Sequence, residues 1–340
     1  RCSVNLKIHL ITDMNYSADV LWLSWEENVL MKNFADQLIE TIRLMKNPTV
    51  MGLDPLLDYV PEHIVKASAA RYKDPAHASA QAILEFNKAL IDATSDIIPA
   101  IKPQFAYYEM YGVHGIKTLV ETIEYARSKG MLVIADAKRN DIGSTAQAYA
   151  TSILGKTTLS DGQQKEMFGA DAVTLNGYLG IDGIKPFISI AKSFGKGMFI
   201  LVHTSNPSSV EIQELELKDG RLLYEAVAEK VASWGEELVG KHGYSSVGAV
   251  VGATWPEQAK KLRQLMPQTF FLVPGYGAQG GDAQTVKSCF DKNGDGAIVN
   301  ASRSLMCAYK KNSAYDTKDF MLATREEAIR MREDLNKAIY

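Results

Sequence analysis

Cysteine is scarce in this chain. Cys2, Cys289 and Cys307 are the only three among 340 residues. Their odd number and lack of paired short spacing exclude a disulfide framework and a zinc ribbon, and point to a reducing, cytoplasmic setting. The six histidines are scattered, with no H-x-x-x-H, so neither a two-histidine helical metal site nor the partner of a nucleophilic triad is expected. No apolar run reaches the about 18 residues that a membrane span needs. A net charge of −3 offers no basic excess to attract nucleic acid or an anionic membrane. A small anionic ligand would have to be held by a local cluster of positive side chains.

What is present fits a large α/β domain. A hydrophobic share of 46% and a charged share of 23% are ordinary for a globular chain. The first thirty residues stand apart: they open on Arg1, and Leu21-Trp22-Leu23-Ser24-Trp25 is too short, and too close to Glu26-Glu27, for a signal peptide. Residues 1–30 are read as an appended or upstream extension outside the fold, and residues 31–340 as one domain. A first helix is expected from Lys32 through Ile39.

From Thr49 onward, short apolar runs alternate with amphipathic stretches such as 115–128, 221–240 and 256–265. The strand candidates are 49–53, 97–102, 131–138, 171–175, 197–203, 246–251, 270–273 and 297–300. Strands separated by helices imply right-handed βαβ units and a parallel sheet. Eight of them favour a closed (β/α)₈, or TIM, barrel over an open doubly wound sheet. The run 131–138 is apolar on both faces at first, with Leu132 and Ile134 on one and Met131, Val133 and Ala135 on the other. Such a strand lies between a barrel interior and a helical shell. Charge enters only at its C-terminal end, where barrels place their chemistry.

The densest signal is Asp136-Ala137-Lys138-Arg139-Asn140-Asp141-Ile142-Gly143. Alternation puts Asp136 and Lys138 on one face, roughly 6–7 Å apart along a strand. An isolated D-x-K is usually a salt-bridged loop. Here both charges end a strand that is otherwise buried, and burying charge is costly without pairing or purpose. The glycine-rich run Pro274–Gly281 would bring backbone N–H groups close to an anion, and Arg303 adds a fixed bidentate charge. Barrels often bind phosphate after strands seven and eight.

The octet resembles the D-x-K-x-x-D-I signature of the orotidine 5′-phosphate decarboxylases, specifically the longer-chain subgroup. The resemblance runs from about residue 33 to about residue 310. Its other anchors are Gly52–Pro55, Ile101–Pro103, Thr204–Pro207, Pro274–Gly281 and Asn300–Arg303. It implies a cofactor-free homodimeric lyase of pyrimidine biosynthesis, which makes uridine 5′-monophosphate from orotidine 5′-monophosphate. Lys138 would protonate C6 as CO₂ leaves, Asp136 would face the departing carboxylate, and Lys102 would interleave with them. Asp141 would serve the neighbouring subunit's site, with Thr145 beside it. Asp54 matches a ribose contact, and Thr204 or Ser205 the reader of the pyrimidine amide. Pro274, Gln279, Ser302 and Arg303 fall in the segments of the phosphate grip. The rivals are a magnesium-dependent phosphosugar lyase or isomerase on a related barrel, and a binding-only barrel that holds phosphate.

Two further motifs carry no function here. Asp291–Gly296 copies the first half of a calcium-binding loop but has Ser302 where a bidentate glutamate is needed, and is read as a turn before the last strand. Gly275-x-Gly277-x-x-Gly280 lacks the strand context and downstream acid of a dinucleotide fingerprint. His203, at the end of the fifth strand, is equally compatible with a site contact and with a satisfied polar residue.

Overall fold

A helix at the start of the domain closes one end of a barrel. Phe34–Met45 carries Phe34, Leu38, Ile39 and Ile42 on one buried face. The Asn33 side chain accepts from the Asp36 amide at 3.2 Å at its start, and Lys46 in a left-handed conformation ends it. The computed structural model describes residues 33–277, 281–311 and 315–340. The reading of residues 1–30 as an extension lies outside the described residues.

The barrel strands are β1 (Thr49–Leu53), β2 (Ala100–Pro103), β3 (Leu132–Arg139), β4 (Ala172–Leu175), β5 (Gly197–His203), β6 (Ser245–Val251), β7 (Thr269–Val273) and β8 (Ala297–Ala301). Each pairs in parallel with its sequence neighbours, and β1 pairs with β8 to close the ring. The eight-stranded (β/α)₈ expectation therefore holds. Strand β2 begins later than its apolar run suggests. The Ile97 and Ile98 amides bond back to the Thr94 carbonyl at 2.9 and 2.8 Å, so these residues finish the helix Pro75–Thr94. The segment expected to be helical over 221–240 is α-helical only over Leu223–Trp234, where Gly235 caps it, and a single 3-10 turn follows over Glu236–Leu238. A small antiparallel ribbon, Thr157–Thr158 with Gln164–Lys165, is too short to leave a periodic signal. The Asp291 carboxylate accepts from the amides of Asn293 and Asp295, the turn expected before β8.

The lower interior is apolar. Val50, Ala100, Ile134, Ala172, Phe199 and Ile298 meet the face of the first helix there. Phe34 packs edge-on against Phe199 at 6.1 Å. A side chain at Gly197 would collide with it, since an added Cβ would fall 2.2 Å from the Phe34 ring. Because strand side chains alternate, the inward residue two steps further along each strand points to the upper interior. Those residues include Lys102, Asp136, Thr174, Leu201 and Asn300, and they floor a cavity. Apolar packing thus sits at one end of the barrel and polar chemistry at the other. No helix among the described residues is long and apolar enough to cross a membrane.

Candidate active site

The cavity has a volume of about 630 Å³ and opens at the C-terminal ends of the strands. At its floor Asp136 is 6% exposed and Lys102 only 4%. The Lys102 ammonium donates to Asp136 Oδ2 at 2.5 Å, and Lys138 donates to Asp136 Oδ1 at 2.6 Å. The Thr174 hydroxyl also donates to Oδ1, at 2.9 Å. Burial alone would push the Asp136 carboxyl upward, but the two ammonium groups outweigh it and hold the carboxyl far below the usual carboxylate range. Burial likewise disfavours the charged form of Lys102. Asp136 and, more distantly, Asp54 overcome that, so Lys102 stays a cation. All three line the cavity, and Lys138 is the most open of them, with its side chain 46% exposed.

The backbone supplies this geometry by departing from a regular strand. Lys138 has φ of 46°, and the β3–β4 ladder slips between Ala135 and Arg139. A lysine in the left-handed region costs on the order of 1–3 kcal/mol and persists only where its surroundings fix it. Here the Lys138 amide donates to Thr174 Oγ1 at 3.0 Å, so one threonine holds both the lysine backbone and the carboxylate. Alternation correctly places Asp136 and Lys138 together, and the turn brings their charged ends into contact.

The other expected residues divide into three groups. Asp54, Thr204, Ser205, Pro274, Ser302 and Arg303 line the cavity with the cluster. Asp54 Oδ1 and Asn300 Oδ1 are buried acceptors with no protein partner. Gly275 and Gly277 have φ of 105° and 72°, backbone that glycine adopts readily, and Gly275 lines the cavity as Arg303 does. Asp141 and Thr145 lie off the cavity. Asp141 Oδ1 accepts from the Ile142 amide at 2.8 Å, and Thr145 is exposed on the first turn of Gly143–Leu154. Gln279 falls outside the described residues.

Several lining residues escape a sequence reading. Thr174, Leu201, Leu272 and Asn300 are reachable by counting two residues on from the apolar interior of each strand. Tyr59, Tyr107 and Gln213 sit in helices of three or four residues, and Asn206 in the segment after β5, all too short to show periodicity. His203 is wholly buried and only half satisfied: its Nε2 meets Glu214 Oε1 at 3.0 Å and its ring packs edge-on against Tyr224 and Trp255, while Nδ1 has no hydrogen-bond partner. Its ring is held below the ordinary histidine value by burial, against the pull of Glu214.

Comparison with known proteins agrees with this architecture. The model of the orotidine 5′-phosphate decarboxylase / HUMPS family matches residues 77–317. The orotidine 5′-phosphate decarboxylase of Caldicellulosiruptor saccharolyticus is 42% identical over 91% of this chain and 100% of its own length. That of Rhodopirellula baltica is 41% identical over 90% of this chain and 99% of its own. Among solved structures, the OMP decarboxylase of Leishmania donovani superposes with a TM-score of 0.64 at 31% identity, covering 88% of this chain and 99% of that one. The UMP synthase of the same organism gives 0.69 at 31% identity over 91% of this chain, which spans 57% of the synthase. A closed parallel barrel, a Lys–Asp–Lys cluster around a buried carboxylate at the floor of its cavity and these likenesses lead to one conclusion: the chain belongs to the orotidine 5′-phosphate decarboxylase family.

Proposed function

We propose that this chain decarboxylates orotidine 5′-monophosphate to uridine 5′-monophosphate, with Lys138 as the proton donor to C6. The observation that carries the reading is the cluster in which one buried carboxylate at the cavity floor is bracketed by two ammonium groups, one buried and one half-exposed. Loss of CO₂ from C6 leaves an electron pair in an sp² orbital with no conventional sink. The barrier reduction required approaches the upper range for enzymes, about 20 kcal/mol. A positioned general acid supplies only about 10²–10⁴-fold. The charge of Lys138 beside the developing carbanion must therefore act before the proton moves. Asp136, kept ionised by its neighbours, would face the substrate carboxylate. Lys102 keeps Asp136 charged and fixed.

A magnesium-dependent phosphosugar reaction suits this donor set poorly. Both Asp136 oxygens are occupied by ammonium groups, which repel a divalent cation. The reading accordingly assigns the chemistry to side chains alone. Asp54, with its unpartnered buried oxygen, suits a ribose hydroxyl. Thr204 and Ser205 suit the pyrimidine amide. Pro274, Ser302 and Arg303, with Gln279, suit the phosphate at the mouth beyond β7 and β8. Cys289 and Cys307 are buried free thiols, which accords with a cytoplasmic enzyme.

Phosphate would serve catalysis as well as binding, since remote contacts can organise and close a site. Arg303→Ala should lower kcat/KM for orotidine 5′-monophosphate by about 10²-fold or more, yet leave the small activity on unphosphorylated orotidine within about threefold. Steady-state kinetics on both substrates make the test. Equal proportional losses would remove Arg303 from the phosphate role.

We also propose a homodimer in which Asp141 and Thr145 serve the other subunit's cavity. Exposed Ile142 lies beside Asp141, and exposed Leu179 and Ile181 shortly precede Gly183, where an added Cβ would stand 2.9 Å from the Asp141 carbonyl. That apolar patch is what a second copy would cover. Inactive Lys138→Ala and Asp141→Ala chains should then complement on mixing. A two-fold heterodimer carries both defects in one site and neither in the other, so with free exchange roughly a quarter of all sites regain activity. No recovery in verified heterodimers would place Asp141 in its own subunit's site or outside catalysis.

A further inference from the structure

The loop after β5 is fastened to the end of its own strand by two adjacent pairs. His203 meets Glu214, and Thr204 meets Gln213. The second pair lines the cavity. The Thr204 amide donates to Gln213 Oε1 at 2.8 Å. A backbone N–H can only donate, so this contact fixes which way the Gln213 amide faces. Its Nε2 is thereby turned onto Thr204 Oγ1, to which it donates at 2.9 Å. The threonine hydroxyl then gives its one hydrogen to the nearer acceptor, Asn206 Oδ1 at 2.6 Å, rather than to Gln213 Oε1 at 3.3 Å. The Thr204 carbonyl is held as well, by the Trp255 indole N–H at 3.1 Å. With its hydrogen spent and one lone pair filled, the hydroxyl has only an acceptor left for a third partner.

From this relay we infer that Gln213 is a specificity-positioning residue, which acts through Thr204 to select a pyrimidine whose N3 carries a hydrogen. The inference rests on the reading that this segment faces the pyrimidine. An imide base of the uracil type presents N3–H as a donor and matches the remaining acceptor. An amidine base of the cytosine type presents a bare N3 and leaves two acceptors opposed. A freely rotating hydroxyl would discriminate far less, because it could donate to one base and accept from the other. Gln213 touches no reacting atom. By filling one lone pair it turns the hydroxyl's hydrogen onto Asn206 Oδ1, and that removes the freedom.

Calorimetric titration of UMP, CMP and ribose 5-phosphate tests the inference on the intact protein without relying on turnover. Wild-type chain that binds ribose 5-phosphate but prefers neither nucleotide would overturn the reading beneath the inference, separately from Gln213. Given a wild-type preference for UMP, Gln213→Leu should lower the UMP-over-CMP ratio by about tenfold, the scale of one mismatched buried hydrogen bond. Ribose 5-phosphate affinity should stay within about twofold, because a loop that had merely collapsed would weaken every ligand. In a Thr204→Val background, Gln213→Leu should leave the ratio unchanged, since the hydroxyl through which it acts is gone. An unchanged ratio in Gln213→Leu, a parallel loss for ribose 5-phosphate, or a full effect persisting in the Thr204→Val background would each overturn the proposal.

Discussion

Replacing Lys138 with alanine should lower decarboxylation by at least about 10⁴-fold, while UMP binding stays within about tenfold and the protein remains folded. Two losses combine: a general acid worth about 10²–10⁴ and a charge beside the carbanion worth about 10²–10³. Stability should be nearly preserved. The substitution leaves Asp136 paired with Lys102 and Thr174, and alanine removes a long side chain whose end is half exposed. Transient kinetics at saturating substrate, with UMP affinity and melting temperature measured on the same sample, separate the chemical loss from a folding defect. Activity within about tenfold of wild type would remove Lys138 from the proton-donor role.

Asp136→Ala should fail differently, losing stability as well as activity. Lys102 would keep its buried position without its partner, and breaking a buried pair from one side costs about 3–5 kcal/mol. For a domain of this size that corresponds to a melting point lower by roughly 5–10 °C. The pH dependence carries a sign. In the wild type, the Asp136 carboxyl lies below its unfolded value, so its contribution is complete above about pH 4 and fades as pH falls through the folded value. Lys102 lies above its unfolded value of about 10.4, so its contribution is complete below that pH and is lost only above it. Without Asp136, burial is left to disfavour the Lys102 ammonium. The variant should then gain on wild type as pH rises from neutral toward about 10, where the unfolded lysine also gives up its proton. Thermal melts at several pH values check this, and a gap that stays constant or widens over that range would contradict it. Restoring a neutral interior with Lys102→Met in the same chain should recover most of the stability and none of the activity.

Why some of this is legible in the sequence and some is not follows from the forces involved. Strands β1 and β5 coincide with their apolar runs because both faces are buried and nothing else competes for those residues. Strand β2 is displaced because Ile97 and Ile98 are equally apolar in a helix end, and only the Thr94 carbonyl decides. The proximity of Asp136 and Lys138 is a consequence of alternation, whereas the left-handed turn at Lys138 depends on Thr174, which lies on another strand. Thr174 and Asn300 are hidden inside apolar runs yet lie two residues beyond interior positions, so strand register alone would have found them. Gln213 and Tyr107 reach the cavity from four-residue helices, Val210–Gln213 and Ala106–Glu109, too short for a periodic pattern to mark a face. Asp141 and Thr145 are singled out by family resemblance, because one chain's pattern says nothing of what covers its exposed loops.

The most direct measurement is conversion of orotidine 5′-monophosphate by the purified wild-type chain in EDTA, followed by loss of substrate absorbance and by product analysis. One UMP and one CO₂ should form for each substrate consumed, at a rate unchanged by added magnesium, and Lys138→Ala should abolish the signal. Failure of the wild type to consume the substrate, or consumption only when magnesium is supplied, would contradict side-chain decarboxylation at the Lys102–Asp136–Lys138 cluster.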